Sequence, residues 1–268
     1  MNKDIYAIFL DIDGTVMVDG LKLGGDAGRG VVPPINIKVI KKARELGHKV
    51  FINTGRAYGF VPRELLDTLD VDGVVCGSGA CIVADGKVVY SSTVPNETVR
   101  TVVRKMYGTG LTILVEGETR NLVLKLKDGQ DVGEYTPETL TDEVLDKCRV
   151  SKITFAGLID EEQNEYLSRY FNVCRQPTYT EASQKHCSKS NGMKKVIEYL
   201  GVDISHCIAM GDSANDTDML ENAGISVAMG NALDSIKAIA DYVSEDAAEG
   251  GVANAILKYI PEVADALK

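Results

Sequence analysis

Tryptophan is absent from this 268-residue chain, histidine occurs three times, and aromatic side chains make up only 6%. No apolar run approaches the roughly 20 residues that a membrane span requires. The N-terminal run Ile5–Leu10 is too short for a secretion signal, and charge and glycine follow it at once. Cys76, Cys81, Cys148, Cys174, Cys187 and Cys207 include no C-x-x-C pair, which excludes a zinc ribbon or a dithiol redox motif. Scattered among apolar residues, they suit reduced thiols in a cytoplasmic protein, the expected location. Cations are also scarce: 29 Lys and Arg face 39 Asp and Glu, a formal net charge of -10. A chain of that charge repels polyanions, so neither nucleic acid nor an anionic membrane is an expected partner. Any phosphate site would need cations or backbone N–H groups gathered locally.

With 44% hydrophobic residues, the chain has ample material for a core. Several uninterrupted apolar runs read as strands buried on both faces: Ile5–Leu10, Lys49–Asn53, Gly73–Cys76, His206–Met210, Ile225–Met229 and, more weakly, Asp241–Val243. Helical patterns lie between them. Pro33-Pro34 opens one that Gly47 should end. Met193, Val196, Ile197 and Leu200 form a single apolar stripe in another. Strand alternating with helix predicts an α/β fold, with a doubly wound, Rossmann-like parallel sheet.

The middle of the chain reads differently. Leu122, Leu124 and Leu126 alternate with Val123, Lys125 and Lys127, as in a strand with one wet face. Turns are signalled at Asp85-Gly86 and Asp128-Gly129. This predicts an inserted α/β module over residues 80–187, with the core formed by 1–79 and 188–268. Gly24–Gly30 reads as a mobile glycine-rich loop.

Four short motifs carry the chemistry. Asp11-Ile12-Asp13-Gly14-Thr15 follows the first strand, and two carboxylates at a strand's C-terminal end can face one site. Hard oxygen ligands of this kind suit Mg²⁺. An ordinary Asp-Gly turn would look similar in isolation. Thr54-Gly55-Arg56 follows the second strand and offers a hydroxyl and free N–H groups to phosphate oxygens. Lys189, just before the Met193 helix, could neutralise a phosphate and an attacking carboxylate, with Lys185, Lys194 and Lys195 as competitors. Gly211-Asp212-Ser213-Ala214-Asn215-Asp216 places acids and an amide after a later strand. Asp212 is the candidate metal ligand there, and Asp216 could hold a metal-bound water or orient Lys189. All four motifs should open on one edge of one sheet, a coincidence more specific than any of them alone.

The order D-x-D-G-T, T-G-R, K, G-D-x-x-N-D resembles the haloacid dehalogenase-like hydrolases. The tail Gly224–Ala232, Lys237-Ala238 and Glu249–Ala253 is similar to the Cof-type subgroup. One departure is Lys189-Ser190-Asn191-Gly192-Met193, where the family often has Lys-Gly-x-Ala-Leu. His48, His186 and His206 match no family position. The resemblance implies a cap inserted between the second and third motifs. It also implies Mg²⁺ held by Asp11, the backbone carbonyl of Asp13, and Asp212. Asp11 would be the nucleophile and Asp13 the acid and base. Ile12, Thr54, Gly55, Lys189 and Asn215 would hold the phosphate, with Asp216 in support. The expected activity is hydrolysis of a small phosphomonoester, a sugar phosphate or similar metabolite, through an aspartyl phosphate. Two alternatives share this core: a phosphomutase or phosphotransferase on a hexose phosphate, and a non-catalytic phosphate-binding regulator.

Overall fold

The computed structural model describes residues 4–19, 30–124 and 133–268. In chain order the first part holds β1 (Ala7–Leu10), β2 (Val18–Asp19), β3 (Gly30–Val31), α1 (Pro34–Glu45), β4 (Lys49–Asn53), α2 (Arg63–Leu69), β5 (Gly73–Cys76), β6 (Cys81–Ala84) and β7 (Lys87–Ser91). The middle holds α3 (Asn96–Met106), β8 (Thr112–Gly117), β9 (Asn121–Val123), α4 (Asp142–Cys148), β10 (Val150–Ala156), α5 (Glu161–Ser168), β11 (Phe171–Arg175) and β12 (Tyr179–Gln184). The last part holds α6 (Lys189–Leu200), β13 (Cys207–Gly211), α7 (Thr217–Glu221), β14 (Ile225–Ala228), α8 (Asp234–Lys237), β15 (Tyr242–Val243), α9 (Gly251–Tyr259) and α10 (Pro261–Asp265).

The core is an eight-stranded sheet in the order β15-β14-β13-β1-β4-β5-β6-β7. From β15 to β5 neighbouring strands run parallel. Successive side chains of a strand point to opposite faces, and the two faces have separate cores. Ile8, Leu10, Val50 and Ile52 pack on one side with residues of α1, α2 and α9. Ala7, Phe9 and Phe51 pack on the other with Met193, Val196 and Ile197 of α6. Strands buried on both sides must be apolar at every position, hence the uninterrupted runs. α6 starts where the Ser188 side chain accepts the Asn191 N–H, and ends at Gly201 in the left-handed region.

The sheet extends past the expected core boundary at residue 79. β6 pairs antiparallel with β5, and β7 with β6. The hairpin turns at Asp85-Gly86, both with positive φ, as a two-residue turn of the primed type demands. Residues 81–91 therefore belong to the core sheet and not to the inserted module, whose first element is α3. The strands expected from the apolar runs, β1, β4, β5, β13, β14 and β15, fall within two residues of those runs. The Ile204–His206 segment is a short 3-10 turn, so His206 precedes β13 and does not open it.

The inserted module, the cap, is a five-stranded antiparallel sheet in the order β11-β12-β10-β8-β9. One face is apolar: Ile113, Val115, Ile153, Phe155 and Ala182 pack with Val99, Val102, Val103 and Leu145 of α3 and α4. The alternation that points these residues inward turns Glu116, Lys152, Thr154 and Glu181 to the opposite face. Leu122 and Leu124 are buried as their alternation predicts. Leu126, Asp128-Gly129 and most of the Gly24–Gly30 segment lie outside the described residues.

Candidate active site

Asp11 is the first residue after β1, and Asp212 the first after β13, the adjacent strand. Parallel pairing puts both at the same edge, where ligands of open α/β sheets bind. Gly14, with φ +81, turns the chain back beneath them. A Cβ on it would meet Asp212 Oδ2 at 2.4 Å. The same constraint holds at Gly211, where a Cβ would meet the Asp216 carboxyl at 2.5 Å. The glycines of both motifs thus let carboxylates approach the backbone closely.

Lys189 joins the two loops. Its ammonium is 1% exposed and donates to Asp11 Oδ1 at 2.5 Å and Asp216 Oδ1 at 2.6 Å, with Asn215 Oδ1 at 3.4 Å. Burial opposes its charge, but the two carboxylates outweigh burial and push its pKa above the usual lysine range. Asp216 Oδ2 accepts the backbone N–H groups of Asp212 and Ser213 at 3.1 and 3.0 Å. Asp216 therefore both fixes the loop and positions the lysine. Of the competing lysines, Lys194 donates to Asn222, Lys195 lies over the Tyr90 ring, and Lys185 is exposed.

Asp11 is held against its own charge. Burial pushes its pKa up to about 8; Lys189 pulls it down, while Asp216 and Asp212 push it further up. Asp212 rises to about 6, through burial and then Asp216, against a hydrogen bond from Thr15 and the charge of Lys189. Donor oxygens of Asp11, Asp212 and Asp216 all lie within 4.8 Å of one another. One buried ammonium does not compensate three such carboxylates. An all-oxygen, acid-rich set of this kind fits a hard divalent cation. Asp216 is engaged at both oxygens by Lys189 and two N–H groups, whereas Asp11 and Asp212 each keep Oδ2 without a donor among the described residues and so could hold it.

Thr54 and Gly55 follow β4, and their turn is braced on three sides. Gly77 N–H donates to Arg56 O, Ser78 N–H to Thr54 O, and the cap residue Lys152 to Gly55 O at 2.8 Å. The N–H groups of Ile12 and Gly55 have no acceptor among the described residues, as an anion site requires. The structure thus brings Asp11, Ile12, Gly55, Lys189, Asp212, Asn215 and Asp216 to one edge, as the sequence predicts.

Asp13 differs. Its side chain is 58% exposed and turned to Arg56, which donates to Oδ2 at 2.8 Å and Oδ1 at 2.6 Å, a bidentate pair. Sequence reasoning found the T-G-R motif without this role for its arginine. It also missed Asn53, whose amide donates to Lys189 O at 3.0 Å, and Asn231, whose amide donates to Gly14 O at 2.8 Å. The larger omission is the cap face. Arg56 and the cap residues Glu116, Lys152, Thr154, Tyr179 and Glu181 line a cavity of about 250 Å³. Only the alternation of Lys152 and Thr154 with Ile153 and Phe155 signalled a polar face there.

The sequence profile of the haloacid dehalogenase-like hydrolases matches residues 8–256. A 5-amino-6-(5-phospho-D-ribitylamino)uracil phosphatase of Bacillus subtilis is 30% identical, over 96% of each chain. The phosphoglycolate phosphatase of Methanobrevibacter smithii is 27% identical, over 96% of this chain and 99% of its own. The solved HAD subclass IIB sugar phosphatase BT4131 superposes with a TM-score of 0.78 at 26% identity, covering 95% of this chain and 98% of that one. No helix among the described residues is long and apolar enough to cross a membrane. With the D-x-D-G-T, T-G-R, lysine and G-D-x-x-N-D motifs gathered at one sheet edge beneath an inserted cap, the chain belongs to the haloacid dehalogenase-like hydrolases and stands among their phosphatases.

Proposed function

We propose that the chain is a Mg²⁺-dependent phosphatase that hydrolyses a small phosphomonoester, a sugar phosphate or similar metabolite, through a phosphoryl group carried on Asp11. The observation that carries this reading is the contact of Lys189 with Asp11 beside Asp212. Nucleophile, fixed cation and a metal-ready pair of carboxylates share one buried spot. The relatives named above act on phosphorylated small molecules, which supports the same substrate class. Six unpaired cysteines, five of them buried, suit a cytoplasmic setting.

Lys189 occupies Asp11 Oδ1, which leaves Oδ2 to attack phosphorus. The ester oxygen leaves as the new P–O bond forms, and Asp13 supplies its proton. Asp13 then takes a proton from water, which attacks the same phosphorus and frees Asp11. Arg56 keeps Asp13 at the mouth of the site between the two half-reactions. The free N–H groups of Ile12 and Gly55, with Thr54 and Asn215, hold the phosphoryl oxygens, and Lys189 offsets their charge. Mg²⁺ held by Asp11, Asp212 and the Asp13 carbonyl would supply the further positive charge that two anionic reactants need. The cap sheet excludes bulk water and reads the leaving group.

The test is phosphate release from a panel of phosphorylated sugars, polyols and nucleotides, with and without Mg²⁺, beside Asp11→Asn. Metal-dependent release that the substitution abolishes supports the proposal. Isomerised sugar phosphate with little free phosphate would instead favour a mutase. Mg²⁺ binding with no reaction would favour a regulator.

A further inference from the structure

The cap cavity has a charge pattern that the hydrolytic chemistry does not require. Lys152, on β10, is 2% exposed and reaches three acceptors: Glu181, Gly55 O at 2.8 Å, and Glu116 Oε1 at 3.8 Å. β10 lies between β8 and β12 in the sheet, which places one carboxylate on either side of the lysine. Glu181 uses Oε1 for Lys152. Its Oε2 accepts no hydrogen bond among the described residues. A Cβ on Gly55 would sit 3.4 Å from Oε2 and 3.6 Å from Asn215 Nδ2, so this oxygen borders the phosphate-holding loop. The Thr154 hydroxyl, also on the cavity wall, lies against the Glu116 carboxyl, whereas the Tyr179 hydroxyl on the same wall has no hydrogen-bond partner among the described residues. The remaining cation of the wall, Arg56, is bound in bidentate fashion to Asp13.

Among the described residues, every cation of the wall is therefore already matched by a carboxylate. What stays open among the described residues is an acceptor, Glu181 Oε2, and the Tyr179 hydroxyl. A leaving group with its own carboxylate or second phosphate would find no unpaired cation and would face an anionic oxygen; like charges so placed are strongly unfavourable. A leaving group with a hydroxyl would give Glu181 its missing donor. The cavity, at about 250 Å³, is below the roughly 300–1,000 Å³ typical of pockets for drug-sized ligands, so that group is compact.

We propose that Glu181, held in place by Lys152, sets leaving-group specificity by charge: it accepts a hydroxyl of an uncharged leaving group and rejects leaving groups that carry a second anion. This rests on the phosphatase reading of the site. Glycerol 3-phosphate and 3-phosphoglycerate form a matched pair, differing only by a hydroxymethyl group in place of a carboxylate. With Mg²⁺, the wild-type enzyme is expected to favour the first in kcat/KM by about tenfold or more. Glu181→Gln removes the charge at constant shape and is expected to narrow that ratio about tenfold. Lys152→Met leaves the carboxylates uncompensated and should widen it. Opposite shifts from two substitutions at one contact cannot come from general damage to the fold.

A wild-type preference for 3-phosphoglycerate, or a ratio unchanged in Glu181→Gln, overturns the proposal while leaving the phosphatase reading intact. Should no variant release phosphate from any compound, the phosphatase reading fails. The specificity proposal is then decided by equilibrium binding of the same two phosphates to Asp11→Asn protein and to its Glu181→Gln double variant, where the same ratio and narrowing are expected.

Discussion

Among the described residues, two lysines lie buried between pairs of carboxylates, Lys189 in the core and Lys152 in the cap, and they are built differently. Lys189 opens a helix, and its partners sit on loops that end parallel strands. Asp216 is fixed a second time by two backbone N–H groups. Lys152 stands on the face of an antiparallel sheet. One of its carboxylates is 3.8 Å away, and the other keeps an oxygen without a donor. The core cluster is closed on itself apart from the place proposed for phosphate and metal. The cap cluster is left partly unsatisfied. Chemistry common to many substrates needs fixed geometry, whereas recognition needs groups still waiting for a partner.

The comparison breaks first at Asp11, the proposed nucleophile. Asp11→Asn should lower turnover roughly 10⁴-fold or more, because a carboxamide cannot form the phosphoryl intermediate. Steady-state phosphate release checks this, and substantial residual turnover would remove Asp11 from the chemistry. Lys189→Met should lower kcat roughly 10²–10³-fold and also destabilise the fold by about 3–5 kcal/mol, since it strands two buried carboxylates. Denaturant titration beside the kinetics separates the two losses. Lys152→Met should act mainly on KM, raising it about tenfold for a hydroxyl-bearing substrate, with kcat changed less. An equal effect of the two lysine substitutions on kcat would erase the distinction between core and cap.

The smallest effect concerns pH. In the metal-free protein Asp11, pushed up to about 8, and Asp212, up to about 6, keep protons that the unfolded chain releases near the ordinary value of 3.8. Between those limits the folded state binds more protons than the unfolded one, so these groups make stability fall as pH rises. Asp11→Asn removes the main contributor. The variant should therefore melt several degrees above wild type at pH 8 without metal, and the gap should close toward pH 5. Mg²⁺ should raise the wild-type melting temperature most at the alkaline end. A gap independent of pH would contradict the raised value of Asp11.

The same contrast explains what the sequence disclosed. Asp11, Asp13, Asp212 and Asp216 occur in runs of a few residues after apolar strands, so both their type and their shared edge were legible. Lys189 stood out from its neighbours only by its place before an apolar stripe. The cap residues Glu116, Lys152 and Glu181 come one per strand, from segments separated by tens of residues. Antiparallel pairing brings them together, and no local pattern announces that. The boundary at residue 79 failed for a related reason. The β6–β7 hairpin carries turn chemistry like that of the cap, but pairing with β5, a tertiary choice, makes it part of the core sheet. The pairing of Arg56 with Asp13 is likewise a contact across 43 positions of sequence.

The most direct test of the account is mass spectrometry of wild-type protein mixed with excess p-nitrophenyl phosphate and Mg²⁺, then quenched in acid during turnover. The prediction is one phosphoryl group on the peptide that contains Asp11, stable in acid, removed by hydroxylamine, and missing from Asp11→Asn. Turnover with no phosphorylated peptide, or with the phosphoryl group on another residue, would contradict the assignment of Asp11 as nucleophile.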